Sequence, residues 1–363
     1  MSSELFDAMN YLEKEKGIDK NLLLEALDAA LISAYKKNFN SATNVRVDIN
    51  EEEGTMKVFA RKEIVEEVMD PQQEISLENA NEIDPNYDIE DVIEVEVTPM
   101  DFGRIAAQAA KQVVTQRVRE AERGIIYGEY VDREEDVMTG IIQRKDPRFV
   151  YVNLGKIEAR LPEGEQMPTE TYEVHNRLKV FVTKVENSNK GPHIYVSRTH
   201  PGLLKRLFEM EVPEIYDGTV EVISVAREAG DRSKISVYAD NPEIDPVGSC
   251  VGQRGQRVQA IVNELKGEKI DIVQWSEDPV EYVSNALSPS KVVEVLVDEE
   301  EKATTVIVPD YQLSLAIGKR GQNARLAAKL TGWKIDIKSE SEAREEGMLS
   351  EDASVEEDVD LED

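Results

Sequence analysis

Apolar residues recur at helical spacing from the start of the chain, at Leu5, Met9 and Leu12, and the pattern stops at Gly17. Asp19 is placed to cap a second helix. Ile18 and Leu23 flank it as a hydrophobic staple, and Leu24, Leu27, Leu31 and Ala34 form its apolar stripe. The period then shortens to two: residues 45–49 alternate, turn near Glu53-Gly54 and return through Met56, Val58 and Ala60, which predicts a hairpin. A strand is expected over 89–97, and a long helix over 101–123 with Ile105, Ala109 and Val113 on one side. Together these give an N-terminal α+β domain, residues 1–126, with no catalytic signature. Its acidic surface reads as a solvated face, with a protein-docking face as the functional alternative.

Beyond Gly124 the pattern turns all-β, with five short strands expected at 137–142, 149–154, 157–161, 178–185 and 194–197. Five strands within residues 135–199 predict a small closed barrel of the OB type. Phe149 and Tyr151 lie two apart on one strand and share a face; such a pair is either part of the core or, with Lys184 and Arg198 as candidates to join it, a surface for bases. Bases stack on such rings at about 1–3 kcal/mol each, while cations follow the phosphates. The Glu-rich stretch 162–177 predicts an exposed connection.

The most specific feature occurs twice. Gly252-Gln253-Arg254-Gly255, followed by Gln256 and Arg257, and Gly318-Lys319-Arg320-Gly321, followed by Gln322 and Asn323, begin 66 residues apart. Each loop is preceded by two strand patterns and followed by an amphipathic helix and a strand, so one α-β-β-α-loop-α-β unit is used twice. Glycine lets a sugar-phosphate backbone approach where a Cβ would obstruct it, and the helix that follows points its N-terminus at the anion. Arg254, Lys319, Arg320, Arg257 and Arg325 are the candidate phosphate-facing cations. A nucleotide P-loop fits less well, because Arg320 stands where Ser or Thr should follow the lysine and Leu313 occupies the place of the first glycine.

Charge sharpens this picture. The 363 residues carry 43 Lys and Arg against 74 Asp and Glu, a net −31 that argues against a simple polyanion binder. The imbalance is uneven: residues 1–130 hold −14, residues 340–363 hold −11, and the 209 residues between them only −6. From Gly318 to Lys334 there are five cations and no acid. Residues 340–363 are expected to be a disordered acidic tail. The single cysteine and three scattered histidines do not assemble a zinc site, no motif calls for a cofactor, and no apolar run is long enough to span a membrane. The start of the chain lacks the pattern of a secretion signal, so the expected compartment is the cytosol.

Both glycine loops resemble those of KH domains, which hold about four nucleotides of single-stranded backbone. The five strands before them resemble an S1 domain, closed by Val196-Ser197-Arg198. The order of an N-terminal α+β domain, an S1 barrel and two KH domains (202–276 and 277–339) resembles the NusA family of bacterial transcription elongation and termination factors. So do the segments Ser197-Arg198-Thr199-His200-Pro201-Gly202 and Asn241-Pro242-Glu243-Ile244-Asp245-Pro246-Val247-Gly248. The resemblance covers about residues 2–338. It implies a monomeric, non-enzymatic factor that rides on RNA polymerase through its N-terminal domain and holds nascent single-stranded RNA on its S1 and KH surfaces. It also implies that the factor modulates pausing, termination and antitermination with other such factors. A ribosome-assembly or translation factor is the alternative use of the same modules, and the RNA-feeding part of a ribonuclease is a more remote one. The acidic run stands where some members carry further helical repeats.

Overall fold

A computed structural model describes residues 2–39, 44–50 and 55–349, and the chain divides into two compact units, residues 1–128 and 129–363. The first unit opens with helices α1 (Ser2–Lys16) and α2 (Lys20–Phe39). Gly17 leaves the first at φ +66°, and Asp19 Oδ1 accepts the Asn21 amide at 2.8 Å, so the cap falls where the sequence places it. Strands β1 (Val45–Asn50) and β2 (Thr55–Val65) pair antiparallel. The turn expected at Glu53-Gly54 lies outside the described residues. β2 also carries β3 (Glu74–Ser76), which leads into the short helix α3 (Leu77–Asn81), and β4 (Val92–Glu96). Helix α4 (Phe102–Val131) completes the set. Phe6, Met9, Leu23, Leu27 and Leu31 pack with Phe102, Ala106 and Ala110 in one core, while Ile64, Ala80 and Ile93 centre a smaller one. α4 runs eight residues past its predicted end because Tyr130 is buried and donates its hydroxyl to the Leu154 carbonyl at 3.0 Å, a tertiary contact that periodicity does not reveal.

In the second unit, β5 (Val137–Lys145), β6 (Phe149–Asn153), β7 (Glu158–Pro162), β8 (Arg177–Ser188) and β9 (Gly191–Ser197) close a barrel in the order β5-β6-β7-β9-β8. Val150, Val152, Ala159, Leu161, Ile194 and Val196 fill it. The first glycine-loop module follows: α5 (Pro201–Glu211), α6 (Pro213–Tyr216), β10 (Glu221–Glu228), β11 (Arg232–Tyr238), α7 (Pro246–Val251), α8 (Gln256–Glu264) and β12 (Lys269–Gln274). The second repeats it: α9 (Pro279–Ala286), β13 (Glu294–Asp298), β14 (Ala303–Val308), α10 (Leu313–Ile317), α11 (Gln322–Thr331) and β15 (Lys334–Ser339). In both, the first two strands pair antiparallel and the last two parallel, so the repeat read from sequence is a repeat of topology.

The modules share cores. Met167 and Phe181 of the barrel pack with Leu203, Leu207 and Phe208 of α5, and Ala226 and Val273 of the first module join Val283, Leu326 and Leu330 of the second. Tyr282 closes the second joint, its hydroxyl 3.0 Å from both Ser236 Oγ and the Leu330 carbonyl.

Three expectations are corrected. Arg198 does not lie on the barrel surface: it is fully buried, its guanidinium on the Glu170 carboxylate, the Lys179 carbonyl at 2.7 Å and the Glu264 carbonyl at 3.0 Å. A guanidinium leaves water only when several acceptors meet it, and here they come from the barrel, its long connection and α8. That connection, 162–177, is consequently not simply exposed, since Met167 is buried and the Glu170 side chain is 2% exposed. Residues Glu340–Glu345 of the expected tail form helix α12, with a Ser339/Glu342 capping box and Ala343 buried. Net charge misses such a cap; residues 350–363 lie outside the described residues.

Trp275 and Trp333, the two tryptophans, both belong to the glycine-loop modules. Arg198→Ala, which leaves Glu170 buried without its partner, is therefore expected to lower stability by about 3–5 kcal/mol in urea unfolding followed by tryptophan fluorescence. A change below about 1 kcal/mol would mean that the joint does not depend on this pair.

Candidate nucleic-acid interface

The two glycine loops have the same backbone. Gly252 and Gly318 stand at φ/ψ +73/176° and +78/172°, Arg254 and Arg320 at +52/29° and +55/30°, and Gly255 and Gly321 at +73/16° and +73/19°. Each loop closes through a 3.1 Å bond from the amide of its second glycine to the carbonyl of its first. The glycines serve different ends. A Cβ on Gly318 would stand 2.7 Å from the Asn323 backbone nitrogen, and one on Gly252 would stand 2.7 Å from Arg257 Cγ. The first glycine thus lets the following helix pack against the loop. A Cβ on Gly321 meets nothing within 4 Å and one on Gly255 only Val258 at 3.9 Å, so the second glycine faces open space and supplies the left-handed turn.

The residue five places after each first glycine is a staple. Arg257 donates to the Ser249 carbonyl at 2.5 Å and to Glu214 at 2.9 Å; Asn323 donates to the Leu287 and Ala316 carbonyls, both at 3.0 Å. Arg325 is likewise engaged, through Nε to Glu228 at 2.7 Å and Nη1 to the Arg320 carbonyl at 3.2 Å. Arg254, Lys319 and Arg320 are exposed, and none of them is paired with a carboxylate among the described residues.

On the barrel, strand register brings five residues into one transverse row: Arg144 opposite Tyr151, Tyr151 opposite Arg160, Arg160 opposite Tyr195 and Tyr195 opposite Lys184. The strand neighbours of Tyr151, Arg160 and Tyr195 fill the barrel, and bulges after Ile142 and Val182 turn Arg144 and Lys184 to the same side, so the row faces outward. The Arg144 guanidinium lies 3.4 Å from the Tyr151 ring centroid, and Phe149 meets Tyr151 edge-on at 6.0 Å. Tyr151 is oriented by donating its hydroxyl to Asp146 at 2.9 Å, and Lys184 pairs with Glu186 at 2.5 Å.

Comparison with known proteins gives this arrangement a family. Family models match in chain order: the NusA N-terminal domain over residues 4–124, the S1 RNA binding domain over 131–197, and the NusA-like first and second KH domains over 198–275 and 279–345. The transcription termination/antitermination protein NusA of Bacillus subtilis is 75% identical over 348 residues, covering 96% of this chain and 94% of that one. Its counterpart in Halalkalibacterium halodurans is 73% identical over 354 residues, covering 98% and 93%. The chain belongs to the NusA family. A more distant NusA, from Thermus thermophilus, is 44% identical over 346 residues, covering 92% of this chain and 89% of that one. The second KH match runs to residue 345 and so takes in α12.

Within the NusA-family frame, the sequence-selected residues separate into two groups. Phe149, Tyr151 and Lys184 lie on or beside the barrel row, and Gln253, Arg254, Lys319 and Arg320 on the two KH loops, all at the surface or partly so. Arg198 is buried, while Arg257 and Arg325 are committed to Glu214 and Glu228. Arg144, Arg160 and Tyr195 escaped sequence reading. Period-two alternation puts Arg160 and Tyr195 on the outward face but sets Arg144 in phase with buried Ile142; a bulge between those two turns Arg144 outward, and only the cross-strand register aligns the three.

Gly318→Ala is expected to cost about 2 kcal/mol or more, because a backbone atom blocks its Cβ and its φ is positive. Gly321→Asn, at an open left-handed position, should cost less than about 1 kcal/mol. Urea titration followed by tryptophan fluorescence checks both, and equal costs would mean that the two glycines are not doing different jobs.

Proposed function

We propose that this chain is an RNA-binding transcription factor acting in termination and antitermination. Its N-terminal α+β domain docks on RNA polymerase while the S1 barrel and two KH domains hold the nascent single-stranded transcript. It works as a cytosolic monomer alongside other termination and antitermination factors and carries out no chemistry of its own. The observation that carries the RNA half is the glycine loop built twice to one backbone geometry, with unpaired cations between its glycines. The polymerase half is supported by relatives named as transcription termination/antitermination proteins, which this chain matches over more than nine-tenths of its length.

The loop cations and the dipole of the following helix attract phosphate without reading sequence, whereas the barrel row offers faces on which bases stack. Modules on one compact unit bind a shared strand with high effective concentration, so weak contacts multiply when the strand spans them. Among the described residues, no helix is long and apolar enough to cross a membrane.

Two measurements test the reading. Lys319→Ala should weaken single-stranded RNA binding and reduce the slope of log K against log salt by about 0.7, the value for one phosphate contact on a single strand. Gly321→Asp should weaken binding several-fold more than Gly321→Asn, since the two differ mainly by a charge at the phosphate position. Unchanged affinity and slope in all three would remove the clamp. For the polymerase half, the full chain used as bait should recover RNA polymerase; ribosomal subunits without polymerase would favour the ribosome-assembly alternative.

A further inference from the structure

The two KH loops share a backbone but not a support. In the second, Arg325 on the first turns of α11 grips the carbonyl of Arg320, the left-handed residue between the glycines, at 3.2 Å. That same guanidinium is held from outside by Glu228, which ends β10 of the first KH domain and also accepts from Gln322 at 2.9 Å. Gln322, the first residue of α11, reaches Asp231 of the same turn as well, at 2.8 Å. The first KH loop has no such brace: Gln259 occupies the position equivalent to Arg325 and is the donor of a bond to Asn263 on its own helix. Glu228 is thus a carboxylate beside a site built for polyanions, although its charge opposes the ligand.

We propose that Glu228 is a positioning residue for the second KH loop: through Arg325 it fixes the Arg320 carbonyl and holds the loop ready for phosphate, so the first domain preorganises the RNA site of the second. The inference rests on the RNA-binding reading above and adds a direction to it. A carboxylate near a phosphate site that played no positioning role would repel RNA, so removing it would tighten binding. A positioning carboxylate gives the opposite sign, because Arg325 and the loop lose their fixed geometry when it goes. Arg325 is 46% exposed on its side chain and Glu228 24%, so the contact is accessible to solvent and a substitution there leaves the shared core of the two domains in place.

The test uses the full chain and a short single-stranded oligonucleotide, with binding read by fluorescence anisotropy at low salt and the Arg320 and Gly321 amide resonances read by NMR. Glu228→Ala is expected to weaken binding roughly three- to tenfold and to shift both amides in the free protein. Glu228→Gln keeps an acceptor for Arg325 and should restore most of the affinity although it carries no charge. In the Arg325→Ala background, Glu228→Ala should have little further effect on loop geometry. Tighter or unchanged binding by Glu228→Ala, with wild-type protein binding normally, overturns the positioning role and leaves the RNA reading intact. Wild-type protein that fails to bind RNA overturns the reading and this inference with it. Weakened binding with unmoved loop amides assigns the loss to domain docking and also overturns the proposal.

Discussion

A guanidinium gives up hydration only where carboxylates and carbonyls replace the water it loses, and Arg198 finds those partners in three places at once: the barrel, its long connection and the first KH domain. The rest of the RNA-facing unit is arranged around that requirement. Arg227 and Glu268, both buried, repeat the device inside the first KH domain. Lys234, Asp271 and the Ser288 carbonyl repeat it at the next joint. Apolar contacts alone would let neighbouring modules slide past one another. Buried charges tolerate few alternative partners, so they set the order and orientation in which barrel and KH loops are presented.

The same economy governs the surface. An acidic chain that binds RNA must keep a few cations free while neutralising the others, and the KH domains show both states within one turn of each other. Arg257 and Arg325 are occupied by carboxylates, and Arg254, Lys319 and Arg320 are not. Net charge describes neither state. Charge per residue becomes informative only when joined to the question of which carboxylate each cation already faces.

That distinction also marks how far the sequence could be read. Elements with a sustained period were legible: the capped helix after Asp19, the five barrel strands and the two glycine loops with their flanking helices. The loops could be recognised because a left-handed turn at fixed spacing demands glycine, and doing it twice is hard to explain otherwise. β3 and α3, three and five residues long, are too short to show a period. The site was legible where function lies in local backbone and illegible where it depends on partners far along the chain. Arg198 sits 66 residues from Glu264, and Arg325 sits 97 residues from Glu228; nothing local separates them from Arg254 or Lys319. Arg144 and Arg160 were lost for the related reason that register is a property of strand pairs.

The different staples under the two loops have an electrostatic corollary. An arginine reaching a carboxylate and a carbonyl, and an asparagine reaching two carbonyls, arrive at the same dihedral angles within a few degrees. The turn therefore accepts either Gln or Lys at the first of the two positions it displays, with Arg at the second in both copies. Gln253 and Lys319 occupy the same place in one frame, so a change of charge at that position alters how the loop attracts an anion while the backbone that carries it stays the same.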